Sequence, residues 1–542
     1  MSATRRNQFV ASMVIACFLS ATTVAEIYRV DSTATGSATG LSWPNAFTSI
    51  EAAFAQWQLG DEIWVAAGTY VPSVKTISTD DRSKTFFIGE DLDGIKIYGG
   101  FLGLAHPSGG ETSLGQRDPE NNITILSGDI DSDDGPDPFE DNEENAYHVV
   151  TFEDVDNDTL LDGFTITGAN ATGLGFPGGL GGGVRCNEAS PTIGRCLFRW
   201  NQATQGGGLG AWGNVAPIGV VNCQFLGNSA TAGAGVLLTF AGHAVIVNST
   251  FIGNTAAEGG SAIDIREHSF PTTLINCSIA GNVTSSGGGG VMADADTTGE
   301  YLTITGCVIW ANEPAQIALA DSSSLVRVSF SDVEGGLPTH VEDGGDNINA
   351  NPEFVRDPDP GADDEWGSND DDYGDLRLTF GSPCINMASN DDLPADFGDL
   401  NTNSDFTERL PRDLDIFRKR VLDNVADMGA FEFGCNADLD ASCEIDEDDL
   451  DLLLGEWTGS ETYESFPPYQ QADLNEDGRI NGIDMGILLA NWGDCPDCGE
   501  EESLGGGSSE SASSETSLLA QFWQWWLESD WDAFFEWAAG QE

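Results

Sequence analysis

Asp473, Asn475, Asp477, Arg479, Asn481 and Asp484 stand at positions 1, 3, 5, 7, 9 and 12 of one stretch, with Gly478 at position 6. Side-chain oxygens at that spacing, with a main-chain carbonyl at position 7 and glycine at the sharp turn, form the oxygen cage of a calcium loop. Ile480 fills the apolar eighth position. The pattern recurs upstream as Asp438, Asp440, Ser442, Glu444, Asp446 and Asp449, with Ile445 at the eighth position. In this first loop Cys443 replaces the glycine and Ser442 replaces an acid, so weaker calcium binding is expected there. A single acidic cluster in an acidic chain is ordinarily solvated surface. Two loops in register, each running into an apolar stretch (453–457 and 488–492), predict a paired calcium-binding unit with short helices.

The tandem resembles a type I dockerin, the module that docks secreted carbohydrate-active proteins onto a scaffold. The resemblance covers residues 435–495, and both loops carry Asp at position 12, as dockerins do. It implies bound Ca2+ and a cohesin-like scaffold or surface protein as partner. It describes attachment and leaves the activity of the remainder open.

A second group of residues could do chemistry on a substrate. When the chain is aligned on its glycine turns, Trp212, Arg266 and Asp294 fall in one column, Asp264 in a neighbouring one, and His268 and Asp296 in another. Alternation along Asp264-Ile265-Arg266-Glu267-His268 sends the Asp, Arg and His to one face of a strand, read as solvent-facing. Trp212 and Asp296 would contact a sugar chain, with Asp264, Arg266, His268 and Asp294 as candidates for catalysis. Hydrolysis of a glycosidic bond needs two carboxylates at a suitable separation. Asp264 and Asp294, one repeat apart, lie closer than the inverting geometry prefers. A lyase needs a basic proton acceptor, and Arg266 is the arginine beside this cluster. The bland alternative is a solvated surface. Asp129, Asp131, Asp133 and Asp134 before Gly135 make a further candidate calcium loop.

These residues must be positioned by a repeat. Cys196-Leu-Phe198-Arg-Trp-Asn201 returns as Cys223-Gln-Phe225-Leu-Gly-Asn228, Ser249-Thr-Phe251-Ile-Gly-Asn254, Cys277-Ser-Ile279-Ala-Gly-Asn282 and Cys307-Val-Ile309-Trp-Ala-Asn312, the asparagines lying 27, 26, 28 and 30 residues apart. Glycine-rich turns (181–184, 206–209, 233–236, 260–263, 288–291) lead into short strands. A fixed period of this size means a stacked array, and strand periodicity excludes the helical solenoids. The expected fold class is mainly β: a right-handed parallel β-helix with a small α-helical, EF-hand-like dockerin domain at its C-terminal side. Phe198, Phe225, Phe251, Ile279 and Ile309 would stack inward, the asparagines would form an amide ladder, and Cys196, Cys223, Cys277 and Cys307 would be buried thiols.

The F-x-x-N and glycine-turn repeats resemble polymorphic outer-membrane proteins, and more broadly the right-handed β-helix proteins that include pectate-lyase-like enzymes. Ala67-Gly68-Thr69-Tyr70 and Ile97-Tyr98-Gly99-Gly100-Phe101 are similar to the leading coils of such proteins. The motifs 351–354, 376–378, 382–385 and 427–432 resemble the choice-of-anchor Q region that follows such helices, which implies a cap over the last rung. The fold hosts lyases, hydrolases, adhesins and passive stalks, so fold alone does not assign an activity.

Composition narrows the partners. The formal net charge is −68, and the lysines are Lys75, Lys84, Lys96 and Lys419. Nucleic acid, which needs clustered Lys and Arg, is excluded as a partner. Arg5 and Arg6, an apolar run from Phe9 to Leu19 and Thr23-Val24-Ala25 read as a signal peptide ending at 25, and 14–17 also has the form of a lipoprotein box. A secreted or bacterial cell-surface protein without a transmembrane segment in the mature chain is expected. The expected organisation is 1–25 signal peptide, 26–160 N-terminal cap and leading coils, 161–350 repeats, 351–434 cap, 435–495 dockerin-like unit, 496–517 flexible linker and 518–542 an aromatic amphipathic helix. The function expected is a tethered, non-catalytic protein that binds or presents to polysaccharide; a polysaccharide lyase or glycoside hydrolase on the same face is the alternative.

Overall fold

The computed structural model describes residues 25–432, apart from 136, 215, 241, 269, 296–301, 321–324, 380 and 395–424, together with 444–445, 447–455, 485, 488–489 and 493–494. Residues 25–494 belong to one compact unit; the second unit, 499–542, lies outside the described residues.

The repeats wind into a parallel β-solenoid. Its strands join four parallel ladders of eleven, nine, eight and five strands. Because each strand is flanked on both sides by its neighbours in the stack, the inward residues are Val, Ile, Leu and Phe almost without interruption. Phe198, Phe225 and Phe251 are fully buried, and their rings stack at 4.4 and 4.7 Å, within 6° and 1° of parallel. Ile279 and Ile309 continue the column through the pairs Phe251↔Ile279 and Ile279↔Ile309. At the start of the stack the helix Ile50–Phe54 lays Ile50 and Ala53 into the same core.

The asparagine column forms the expected amide ladder. Asn201, Asn228, Asn254 and Asn282 each donate Nδ2 to the Oδ1 of the next asparagine, at 3.1, 3.0, 2.8 and 2.8 Å. Asn312 ends the series by donating to Gln316 Oε1 at 2.7 Å. The same amides bond the carbonyls of Ile166, Phe198, Phe225, Phe251 and Ile279, so main-chain groups at the bend find partners inside the solenoid. Cys196, Cys223, Cys277 and Cys307 are free and buried. At the glycine turns a side chain would collide with the coil stacked on it: a Cβ at Gly208 would meet the Gly235 carbonyl oxygen at 2.7 Å.

Residues 351–394 and 425–432 add a feature that repeat periodicity does not announce. They run back along the flank of the nine-stranded ladder. Phe354, Leu376, Leu378, Cys384 and Met428 pack there on Ile252, Ala280 and Val308. Trp200 Nε1 donates to Tyr373 Oη at 2.9 Å, and Trp366 stacks on Tyr373. Gly253, at φ +63°, leaves room for Trp366, which a Cβ there would meet at 2.6 Å.

Further on, helix Glu447–Gly455 follows the first predicted calcium loop, and Glu444–Ile445 pairs antiparallel with Gly493–Asp494. Asp449 is buried. Asp438, Asp440, Ser442, Asp446, Asp473, Asn475, Asp477, Arg479, Asn481 and Asp484 lie outside the described residues, as do the predicted signal peptide through residue 24, the linker and the aromatic tail. Among the described residues no helix is long and apolar enough to cross a membrane.

Candidate functional site

Trp212, Asp264, Arg266 and Asp294 sit on the outward face of the eight-stranded ladder. Its strands here are Val150–Glu153, Val184–Asn187, Leu209–Trp212, Val236–Thr239, Ile263–His268 and Val291–Ala295. Trp212 pairs with Asn187 on one side and Thr239 on the other, and Arg266 pairs with Asp294. Since Leu238 pairs with Ile265, the residues that follow, Thr239 and Arg266, continue this column, and Trp212, Arg266 and Asp294 share it as expected.

Two expectations are corrected. Asp264 faces outward but not to solvent: it is fully buried beneath the turn at Gly259, where a Cβ would meet Asp264 Oδ2 at 2.1 Å. Alternation fixes the face of a strand, not what covers it. The column expected for His268 and Asp296 is interrupted at His268. The ladder slips between Arg266 and His268, so that His268 pairs with Ala295, and Asp296 lies outside the described residues.

Arg266 Nε donates to Asp264 Oδ2 at 3.0 Å, and Nη2 lies 2.8 Å from the same oxygen in an ion pair. Asp264 Oδ1 is buried without a hydrogen-bond partner among the described residues. Burial pushes the Asp264 carboxyl above its ordinary range, while the Arg266 bond and charge oppose the rise. A carboxylate closed over in this way cannot touch a glycosidic bond, so the arrangement offers no reachable carboxylate pair built on Asp264. What it supplies is a fixed, internally paired charge beside an open surface.

That surface carries aromatic rings which the sequence reading passed over. Trp212 ends its strand, Phe240 directly follows the next one, and Phe270 follows the one after that. Phe176, from the irregular segment 172–179, closes on both neighbours, its ring 5.6 Å from Trp212 and 4.9 Å from Phe240. Phe176, Phe240 and Phe270 are 45%, 46% and 42% exposed, high values for residues that normally go inside. Polar atoms accompany them: Arg185 Nε, Asn187 Oδ1 and Trp212 Nε1, on this same face, are buried without a partner among the described residues. A shallow cleft of 460 Å³ lined by Phe54, Phe87, Glu90 and Glu153 opens toward the start of the ladder, in line with Asn187 and Trp212. The signal available in the sequence is an aromatic at or just after the end of three successive strands, Trp212, Phe240 and Phe270.

Residues 150–333 match the family model described as the right handed beta helix region. The repeat region is a right-handed parallel β-helix. Among solved structures, the chain is similar to the crystal structure of pectate lyase Pel9A, at 14% identity and a TM-score of 0.36, over 76% of this chain and 97% of that one. No curated protein matches the sequence.

Proposed function

We propose that this is a secreted β-helix protein that binds polysaccharide along the outward face of the eight-stranded ladder without cleaving it, and is held in place by its calcium-dependent dockerin-like module. The observation that carries the reading is the cluster of exposed rings Phe176 and Phe240 against Trp212, with Phe270 exposed one coil further on. Successive coils advance by about 4.8 Å, close to the length of one sugar ring, so an extended glycan laid along the stack meets a ring at each step. Apolar platforms with a few orienting polar groups are what ligand sites are made of, and Arg185, Asn187 and Trp212 supply polar atoms with unused hydrogen-bonding capacity. A net charge of −68 disfavours an acidic polymer and favours a neutral one. The calcium loops at 438–449 and 473–484, with the signal-like N-terminus, support secretion and attachment to a cohesin-like partner.

The test is affinity electrophoresis of the full chain through gels containing neutral or acidic polysaccharides with calcium present, alongside assays for new reducing ends and unsaturated products. Retardation by a neutral polymer, abolished in Phe176→Ala/Phe240→Ala and unaccompanied by product, is the expected result. Product from any polymer overturns the non-catalytic reading, and retardation unchanged in the double variant removes the aromatic face.

A further inference from the structure

Between strands Asn170–Ala171 and Val184–Asn187 the chain folds back over the outward face of the eight-stranded ladder. The foot of this segment is tied down. Thr204 Oγ1 donates to Leu174 O at 3.1 Å, and Gln205 N donates to Gly179 O at 2.9 Å. Leu180 lies against Gly210, where a Cβ would meet its Cδ1 at 2.7 Å. The tip is held differently. Among the described residues Gly175, Phe176 and Pro177 bond only within the segment, Gly175 O accepting from Gly179 N at 3.1 Å and Pro177 O from Leu180 N at 3.3 Å. One ring joins this tip to the solenoid: Phe176, edge-on to Trp212 and tilted on Phe240, with nearly half of its surface exposed. Gly173 and Gly175 have no atom within 4 Å of where a Cβ would stand, so the chain on either side of Leu174 has room to turn.

Trp212 is caught by both ends of the segment, packed on Leu180 as well as on Phe176. Its Nε1 is buried with no partner among the described residues, and so is Oδ1 of Asn187, its neighbour on the adjacent coil. Arg185 Nε, two residues before Asn187 on the same face, is a third such atom. Buried polar groups are nearly always paired. Two donors and an acceptor left unpaired together match a partner that both donates and accepts, which is the property of a hydroxyl.

We propose that residues 172–179 are a flap over a sugar subsite: Phe176 lifts from Trp212, one sugar ring of a neutral polysaccharide enters, and its hydroxyls pair with Trp212 Nε1 and Asn187 Oδ1. Phe176 then closes on the outer side of the sugar. The proposal rests on the polysaccharide reading above and adds to it a gate and a polar subsite. Empty, the phenyl ring shields the indole from water; loaded, it is the second wall of the subsite.

Amide hydrogen exchange of the full chain, wild type and Phe176→Ala, tests the flap without ligand. Because the ring is the latch, Phe176→Ala is expected to speed exchange in 172–180. The amides of Gly181 to Val184, which bond Gln205 to Gly208 on the next coil, should stay as protected as before. Unchanged exchange in 172–180 overturns the flap. A rise that spreads through the coils also overturns it, because the variant then loosens the solenoid as a whole. Retardation in gels of galactomannan, xyloglucan or hydroxyethylcellulose tests the subsite. Trp212→Phe, which keeps a ring and loses Nε1, and Asn187→Ala are each expected to bind a polymer that retards the wild type roughly fivefold more weakly. Retardation that survives both substitutions overturns the subsite and leaves the platform of rings standing. No retardation of the wild type by any of the three polymers overturns the polysaccharide reading, and this proposal with it.

Discussion

Arg266 meets one oxygen of Asp264, Oδ2, with both Nε and Nη2, while Oδ1 is buried with no partner among the described residues. The pair is therefore an incompletely satisfied ion pair held under the Gly259 turn. Removing the arginine strands a buried carboxylate, which typically costs about 3–5 kcal/mol. Arg266→Ala is expected to lower thermal stability by that order at neutral pH. The sign of the pH dependence follows from the raised carboxyl. A folded state that holds its proton more tightly than the unfolded chain gains stability as pH falls through the folded pKa and loses it as pH rises. The deficit of Arg266→Ala should therefore shrink on acidification, relative to wild type at the same pH. Melting curves between neutral and acid pH check this, and a deficit that grows at low pH would sink it.

The amide ladder gives a second expectation. Asn254 donates to Phe225 O and Asn282 Oδ1, each at 2.8 Å, and accepts from Asn228 N and Nδ2 at 3.1 and 3.0 Å. All of this is out of water. With the longer bond from Asn254 Nδ2 to Ile252 O at 3.4 Å, Asn254→Ala removes five bonds and leaves main-chain groups of two coils unpaired, a loss of about 3–5 kcal/mol. Urea unfolding should show a lower midpoint for this variant. A shift worth less than about 1 kcal/mol would mean that water enters the bend and replaces the amide.

The inward columns were legible in the sequence because a period of 26 to 30 residues forces like residues to stack: Phe198, Phe225 and Phe251 could hardly be placed otherwise. The outward face was legible only up to the side on which a residue falls. What covers Asp264 is a turn, and a single slip in register pairs His268 with Ala295; neither has a periodic signature. Phe176 comes from a segment outside the repeat, and the flank segment touches the solenoid through pairs such as Trp200 and Tyr373, 173 residues apart. Contacts of that kind depend on the path of an irregular chain, which composition and spacing do not specify.

The proposed calcium loops at 438–449 and 473–484 lead to an expected difference in response between the two parts of the chain. Ligands of such loops repel one another without the ion, so binding energy and folding energy are largely the same quantity there. The β-helix owes its stability to stacked apolar columns and the amide ladder, which contain no ion. Chelation of the full chain is therefore expected to raise amide hydrogen exchange throughout 435–495 and leave the coils of 150–333 protected. The first loop, with Ser442 and Cys443 in place of an acid and glycine, should lose its ion at a higher calcium concentration than the second. Exchange read peptide by peptide during a calcium titration separates the two loops. Protection of 435–495 that persists in chelator would show that apolar contacts such as those of Leu453 and Leu488 hold this module without metal.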